Sequence, residues 1–106
     1  MALGVLLLLG ACANGTSPEA PEGADGTVDP VLAEGRSVWV SSCSRCHGSS
    51  GGGGAGPAVH SARDARPSQS DMIEVVTEGR GAMPQFGTSL SDDEIEAVVR
   101  YIHEVL

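Results

Sequence analysis

Residues 41–50, Ser-Ser-Cys-Ser-Arg-Cys-His-Gly-Ser-Ser, place two cysteines and a histidine within five positions, at Cys43, Cys46 and His47. Thiolates and imidazoles are ligands for several metals, and paired thiols also attach cofactors covalently. The stretch follows a segment with apolar residues at helical spacing and precedes a glycine run from Gly51 to Gly54. We therefore expect a reactive cluster at the end of a helix, next to a loop.

Three types of site contain a Cys-x-x-Cys pair. A structural zinc site needs four ligands, usually from two such pairs, whereas this chain adds only His60, His103 and a distant Cys12. A thioredoxin-like dithiol follows a strand in a βαβ unit, and no segment here has a strand pattern. Cys-x-x-Cys-His is typical of c-type haem attachment, in which two thiols bond the macrocycle and the adjacent imidazole lies beneath the iron. This third interpretation fits the sequence best.

A candidate for the second axial ligand lies in residues 81–84, Gly-Ala-Met-Pro, 36 positions after His47. Proline disfavours helical angles at the residue before it, so we expect residues 81–87, which include Met83, to form an extended loop. A thioether ligand raises the reduction potential relative to two imidazoles. Packing in the core is the other interpretation of Met83. Met72 lies in a predicted helix and is a weaker candidate, and His60 is an alternative axial ligand.

Two short helices are predicted around these sites. The first begins at Pro30, with Asp29 as its N-cap. The second follows the N-cap candidate Ser70 and ends at Gly79, since glycine is favoured just past a helix end.

A third helix is predicted near the C-terminus, where Ser91 and Glu94 form a capping box. Its apolar stripe comprises Ile95, Val98, Val99, Ile102 and Leu106. Because no segment has a strand pattern, the predicted fold class is all-α, with three to four short helices and long loops around one covalently bound haem.

Composition is consistent with a cofactor in the core. The segment expected to fold, residues 31–106, is small for a stable core, and the chain has only one Phe, one Tyr and one Trp. A large flat cofactor would fill the interior. Fourteen acidic residues against six arginines give a net charge of −8, which argues against nucleic acid and permits a basic protein partner.

The N-terminus predicts export. Residues 1–12 form a short apolar segment, and Leu9-Gly10-Ala11-Cys12 resembles a bacterial lipobox, which implies cleavage before Cys12 and lipidation of that residue. Three cysteines leave Cys12 over once Cys43 and Cys46 pair, and lipidation gives it a use. An ordinary signal peptide is the alternative. Residues 13–30 are rich in Gly, Pro and acid, and we expect a disordered tether there.

Residues 31–106 resemble the class I monohaem c-type cytochromes. In them, residues 43–48 resemble the attachment motif and residues 81–84 the sixth-ligand loop. The resemblance implies one haem c whose iron is bound by His47 and Met83. It also implies that the Pro57 carbonyl accepts the other N–H of His47. A crossing of the first and last helices is implied at three further positions, Gly35, Trp39 and Tyr101.

The function expected from these features is one-electron transfer, without enzymatic activity. We expect a monomer that meets membrane-bound redox proteins, exported to the periplasm or the outer face of the cytoplasmic membrane and held there by a lipid on Cys12. One alternative is a cytochrome subunit of a membrane-associated oxidase or dehydrogenase complex. Another is a haem-based ligand sensor with a labile Met83. The glycine run after His47 departs from the family pattern, and Arg80 is either a haem propionate partner or an exposed side chain.

Overall fold

A computed structural model describes residues 15–60 and 66–106. Within these ranges the regular elements are helices: α1 Pro30–Val38, α2 Ser44–His47, α3 Gln69–Glu78 and α4 Asp92–Glu104. A π-helical turn, Trp39–Cys43, joins α1 to α2, and a 3-10 turn, Phe86–Thr88, precedes α4. The described residues contain isolated β-bridges but no strand, so the prediction of an all-α fold is confirmed.

The ends of α1 and α4 agree with the sequence prediction. Asp29 Oδ1 accepts a hydrogen bond from the Val31 N–H at 2.9 Å, which satisfies one of the free donors at the start of α1. Ser91 Oγ accepts from the Glu94 N–H at 3.1 Å, and the Glu94 carboxylate accepts from the Ser91 N–H at 3.0 Å. The predicted N-cap and the predicted capping box are both confirmed.

Two local predictions are corrected. The N-cap of α3 is Ser68 rather than Ser70, because Ser68 Oγ accepts from the Asp71 N–H at 3.1 Å and the helix starts at Gln69. The chain after Met83 is not extended throughout. The N–H groups of Ser89 and Leu90 both donate to the Phe86 carbonyl, at 3.0 and 2.8 Å, and they close the 3-10 turn.

Helices α1 and α4 cross in direct backbone contact at Gly35. A side chain at this buried position would collide with the carbonyl of Ala97 and would come within 2.9 Å of the Tyr101 Cβ. Trp39, one turn further along, has its ring centroid 6.3 Å from that of Tyr101. The expected crossing at Gly35, Trp39 and Tyr101 is therefore confirmed, and the close approach explains a glycine inside a helix.

The core lies between this crossing and α3. It is almost entirely aliphatic apart from one indole and one phenol ring. Its buried members are Val38, Trp39, Cys43, Met72, Val76, Ile95, Val98, Val99, Tyr101 and Ile102. Met83 and Phe86 are among the partly buried residues that pack against it. One side of the core thus continues into the region of the predicted ligands.

The N-terminal segment differs from the expected disordered tether where the structure describes it. Ser17 and Ala20 are each only 7% exposed. The Tyr101 hydroxyl donates to the Pro18 carbonyl at 2.6 Å, and Arg36 donates to the carbonyls of Ser17 and Pro18. Composition suggested disorder because it does not reveal these distant partners.

The predicted signal segment, residues 1–12 with Cys12, lies outside the described residues, as do residues 13 and 14. Among the residues that the structure does describe, no helix has the length and apolar character needed to span a membrane.

Candidate haem site

A cleft of about 1230 Å³ opens beside the core, bordered by α2, α3 and the loop that carries Met83. This volume exceeds the roughly 300–1,000 Å³ that is usual for small-molecule sites. All five residues predicted to bind the cofactor line it: Cys43, Cys46, His47, Pro57 and Met83. The fold therefore brings together side chains that are 40 positions apart in the sequence, from Cys43 to Met83.

The two cysteines lie at the junction of the π-helical turn and α2. In that turn the Ser44 N–H donates to the Trp39 carbonyl, five residues back. Such a turn is wider than that of an α-helix, and it is frequent at functional sites. Cys43 is buried and Cys46 is exposed, and neither is in a disulfide. Burial, with a smaller contribution from the Cys46 thiol, raises the pKa of Cys43 to about 11, so this thiol is protonated at neutral pH.

The imidazole of His47 is held by the loop that follows it. Its Nδ1 lies 2.7 Å from the Pro57 carbonyl oxygen. Because a carbonyl only accepts, Nδ1 carries the proton, and the lone pair of Nε2 is left for a metal. The Gly53 N–H donates to the His47 carbonyl at 2.7 Å, and the Gly56 N–H donates to the Cys46 carbonyl at 2.8 Å.

Gly56, two residues after the glycine run, is part of this support. A Cβ added at Gly56 would lie 3.0 Å from the His47 Cε1 and 3.1 Å from its Nδ1. The loop backbone therefore packs directly against the imidazole ring. Trp39 also contributes, because its indole N–H donates to the Ser49 carbonyl at 3.0 Å and its ring centroid lies 6.2 Å from that of His47. Apart from the glycines themselves, the sequence offered no signal that the loop packs on His47, and it offered none that Trp39 lies beside it.

Met83 lies at the end of a tight turn. The Met83 N–H donates to the Arg80 carbonyl at 2.9 Å, and the Arg80 N–H donates to the Met83 carbonyl at 3.2 Å. Gly79, which ends α3, has φ of 76°, and a Cβ there would lie 2.6 Å from the Met83 carbonyl oxygen. This position thus requires glycine for two reasons, backbone angle and space. The turn fixes the backbone from which the thioether projects.

The residues present fit a c-type haem. The donor set consists of two thiols without a disulfide, one imidazole with a free Nε2 and one thioether, all around the same cleft. The walls are largely apolar and include Val59, Met72, Val75, Val76, Phe86 and Ile102. In the described ranges no three His, Cys, Asp or Glu side chains are grouped to hold a metal ion, so a zinc site has no counterpart there.

Charged side chains also line the cleft, and sequence reasoning identified only one of them. Arg80 was considered as a propionate partner, and it does line the cleft. Arg66 does so too, while it donates to the carbonyls of His60 and Ile102. His60, the alternative axial ligand, is not among the lining residues.

Comparison with known proteins agrees with this geometry. The family model for subunit III of the cbb3-type cytochrome c oxidase matches residues 30–102. Cytochrome c6 of Leptolyngbya boryana is 36% identical over 74 residues, which cover 66% of this chain and 87% of that protein. Cytochrome c6 of Microcystis aeruginosa is 33% identical over 73 residues, covering 65% of this chain and 90% of that protein.

Solved structures share the fold. The structure of cytochrome cL from Hyphomicrobium denitrificans matches with a TM-score of 0.63 at 26% identity, over 71% of this chain and 47% of that one. Cytochrome c6 from the diatom Phaeodactylum tricornutum matches with a TM-score of 0.55 at 30% identity, over 68% of this chain and 90% of that one.

Fold, cleft and relatives define a small monohaem c-type cytochrome. Within that class, the chain belongs to the family whose model describes subunit III of the cbb3-type oxidase. It carries one covalently bound haem c with its iron, and it is an electron-transfer protein rather than an enzyme.

Proposed function

We propose that this chain is an exported one-electron carrier whose haem iron has His47 and Met83 as axial ligands. Bound haem supplies the chemistry, a one-electron change between ferric and ferrous iron. The observation that carries the proposal is the position of both side chains around one cleft, with the Nδ1–H of His47 committed to the Pro57 carbonyl at 2.7 Å.

The protein's own residues would have distinct tasks. Cys43 and Cys46 would each form a thioether to the macrocycle, from positions three residues apart that both line the cleft. Pro57 would keep the His47 ring in one tautomer and make its Nε2 more basic. Met83 would donate its soft thioether, which raises the reduction potential relative to a second imidazole. With His47 and Met83 both holding the iron, no substrate would need to bind it.

A matched pair of substitutions tests the axial assignment. Met83→Leu should abolish the weak long-wavelength absorption band of thioether-bound ferric haem, allow carbon monoxide to bind the ferrous protein and lower the reduction potential. Met72→Leu, a similar change in volume at a buried residue of the same cleft, should leave all three properties unchanged. An unchanged spectrum in Met83→Leu would contradict the assignment.

A subunit role is the second candidate function. The family whose model matches residues 30–102 is described as an oxidase subunit, which supports this alternative. Purification of the untagged protein from native membranes would separate the two. A free carrier should elute at the size of the single chain, whereas a subunit should elute with a larger complex. The ligand-sensor alternative requires a labile Met83, and the closed turn at Arg80 and Met83 favours the carrier over it.

We also propose that the protein is exported to the periplasm or the outer face of the cytoplasmic membrane and is held there by a lipid on Cys12. Its chain would then comprise a signal segment 1–12, a connecting segment and a haem domain that includes residues 31–106. The lipobox-like residues 9–12 support this assignment. Two or three acyl chains anchor stably, whereas a single chain binds only marginally. Fractionation of cells producing wild type and Cys12→Ser tests it. Wild type released as freely as Cys12→Ser, with an unmodified Cys12, would leave a soluble exported cytochrome.

The distribution of charge indicates how a redox partner would approach. The cleft lining contains three arginines, Arg45, Arg66 and Arg80, and three carboxylates, Asp71, Glu74 and Glu78. The whole net charge of −8 therefore comes from the rest of the chain. We infer that a basic redox partner docks at the cleft, whose own charges balance, while the acidic remainder of the chain attracts and orients it. The rate of association with that partner should therefore fall as ionic strength rises.

A further inference from the structure

The segment Ser17–Ala20 makes an unusual set of contacts for a region with its composition, and we call it the strap. Arg36 Nη2 donates to the Ser17 carbonyl at 2.9 Å, and Arg36 Nε donates to the Pro18 carbonyl at 3.1 Å. The same guanidinium lies 2.8 Å from a carboxylate oxygen of Glu19. One arginine of α1 therefore binds three consecutive residues of the strap.

Tyr101 of α4 supplies the second attachment. Its side chain is fully buried at the helix crossing, and its hydroxyl donates to the Pro18 carbonyl at 2.6 Å. Burial raises the pKa of this phenol, so it remains a donor. Ser17 and Ala20, on either side, are each 7% exposed. The strap thus covers the outer face of the crossing of α1 and α4.

The sequence of the strap favours docking over disorder. Pro18 in the strap and Pro21 directly after it restrict φ and lack an N–H, so this part of the chain loses little conformational entropy and has few donors to satisfy. Polar partners are needed only for its carbonyls, and Arg36 and Tyr101 provide them. A Gly/Pro-rich composition is therefore compatible with a docked, extended segment.

The chain remains tied down from the strap to α1. The Gly23 N–H donates to the Thr27 carbonyl at 2.7 Å and closes a turn, in which Asp25 also accepts from Thr27. Asp29 then caps α1 and accepts from Arg100 of α4 at 3.0 Å. Both arginines outside the cleft that the structure describes, Arg36 and Arg100, thus hold the N-terminal segment.

We propose that the strap is a docked anchor point that shortens the link between the membrane and the haem domain. This inference rests on the proposed lipid at Cys12. Only four residues, Ala13 to Thr16, then separate Cys12 from the strap. Five residue steps span at most about 18 Å, whereas a free segment up to Pro30 could span about 65 Å. The domain would be confined near its membrane and would exchange electrons with partners in that same surface.

The strap leaves the cleft open. None of its four residues, and neither Arg36 nor Tyr101, is among the residues that line the cleft. A Cβ added at Gly15 would lie 3.7 Å from that of Ser49, so the chain reaches the strap beside the loop that follows His47. The point where the chain leaves the domain is therefore fixed relative to the haem cleft, which a free tether would not achieve.

Thiol labelling of the holoprotein, in the full chain with Cys12→Ser, tests the docking without any lipid. Ala20→Cys places a thiol in the buried part of the strap, and Ala24→Cys places one in the exposed turn as a matched control. A maleimide should label the Ala20→Cys protein at least about tenfold more slowly than the Ala24→Cys protein, because labelling at position 20 requires local opening of the strap. Adding Arg36→Ala and Tyr101→Phe should remove this difference and leave the Ala24→Cys rate unchanged.

A second measurement avoids the new thiol. A glutamate-specific protease should cleave after Glu19 about tenfold faster in the Arg36→Ala, Tyr101→Phe protein than in wild type, while cleavage after Glu22 changes little. Equal labelling of the two thiols, together with unchanged cleavage after Glu19, would overturn the strap.

The shortened link has its own test in phosphatidylcholine vesicles with a fluorescent headgroup that haem quenches. Inserting about ten Gly and Ser residues between Thr16 and Ser17 should reduce quenching while Ala20→Cys stays protected. Releasing the strap with Arg36→Ala and Tyr101→Phe should reduce quenching as well. Quenching that neither change alters would overturn the shortened link. If every variant washes off the vesicles, the lipid anchor is wrong, and labelling alone decides the strap.

Discussion

The His47 side and the Met83 side of the cleft are built differently. On the His47 side, a backbone loop contacts the ligand residue and its neighbour through the Gly53 and Gly56 N–H groups, and the Pro57 carbonyl accepts from the imidazole at 2.7 Å. On the Met83 side, the described backbone support is one turn, closed by two hydrogen bonds between Arg80 and Met83. The imidazole is thus held by a hydrogen bond to its own ring, whereas the Met83 side chain packs against the core and the hydrogen bonds of this residue come from its backbone.

This difference indicates where the site can change. A ligand fixed by a ring hydrogen bond and by neighbours that attach the cofactor has few ways to leave. A ligand positioned by a single turn depends on that turn remaining closed. We therefore expect substitutions on both sides to lower stability, and those on the Met83 side also to alter ligand binding and the reduction potential.

The largest effect is expected from removing the attachment itself. Cys43→Ala with Cys46→Ala should leave most of the chain unfolded, because the haem supplies much of a small core. Far-ultraviolet circular dichroism measures the helix loss. Extraction of the wild type in acid solvent is the companion experiment, and haem that leaves with the solvent would contradict covalent attachment.

Gly79→Ala should be the next most damaging change, and it tests the Met83 side. The new Cβ would lie 2.6 Å from the Met83 carbonyl at a φ of 76°. We expect a loss of about 2–4 kcal/mol from clash and backbone strain together. The turn should open, so carbon monoxide should bind the ferrous protein.

Gly81→Ala is the matched control for that variant. Its φ is 57°, but nothing lies within 4 Å of the added Cβ, so only backbone strain of about 1 kcal/mol applies. Carbon monoxide should bind it no better than wild type. Equal binding by both variants would mean that the clash with Met83 is not what keeps the ligand in place.

Gly56→Ala tests the His47 side. The added Cβ would lie 3.0–3.1 Å from the imidazole, so the loop must move by a few tenths of an ångström. We expect a loss of about 1–3 kcal/mol in thermal unfolding, with the long-wavelength band retained. Gly52→Ala, whose Cβ would meet only the exposed His60 side chain at 3.3 Å, should cost less. If Gly56→Ala lost the long-wavelength band and Gly79→Ala kept it, the His47 side rather than the Met83 side would be the one that can change.

A smaller effect than that of Gly56→Ala is expected from Trp39→Phe, which keeps an aromatic ring but removes the indole N–H that donates to Ser49. The freed carbonyl and the lost volume should cost about 1–2 kcal/mol. For a domain of this size, that corresponds to a midpoint lower by roughly 4–15 °C. A midpoint equal to wild type would show that the Ser49 contact contributes nothing.

The sequence predicted those parts of the molecule in which the signal is local. The caps at Asp29 and Ser91 depend on side chains next to the helix. The crossing at Gly35 has no local signal of this kind, and it was predicted because the resemblance to class I cytochromes implied it. Local signals also have limits, because Ser68 and Ser70 are both good caps, and geometry rather than residue type selected Ser68.

The rest depends on partners far apart in the sequence. Pro18 meets Tyr101 across 83 positions, and composition alone suggested disorder. Arg66 reaches the Ile102 carbonyl across 36 positions. The glycine run departed from the expected pattern, yet its contacts with His47 exist only because the loop folds back over the imidazole. Such contacts follow from the packed fold and have no pattern in the sequence.

The central claim is that His47 and Met83 share one iron, and proton NMR of the reduced protein with labelled methionine methyl groups tests it most directly. Once the proposed cleavage before Cys12 removes Met1, two methionines remain, Met72 and Met83. A methyl group on an axial ligand lies over the macrocycle, and its ring current shifts that resonance far upfield. The account predicts one strongly shifted methyl, absent in Met83→Leu and retained in Met72→Leu. Two methyl resonances in the ordinary range, or a shifted one that persists in Met83→Leu, would contradict it.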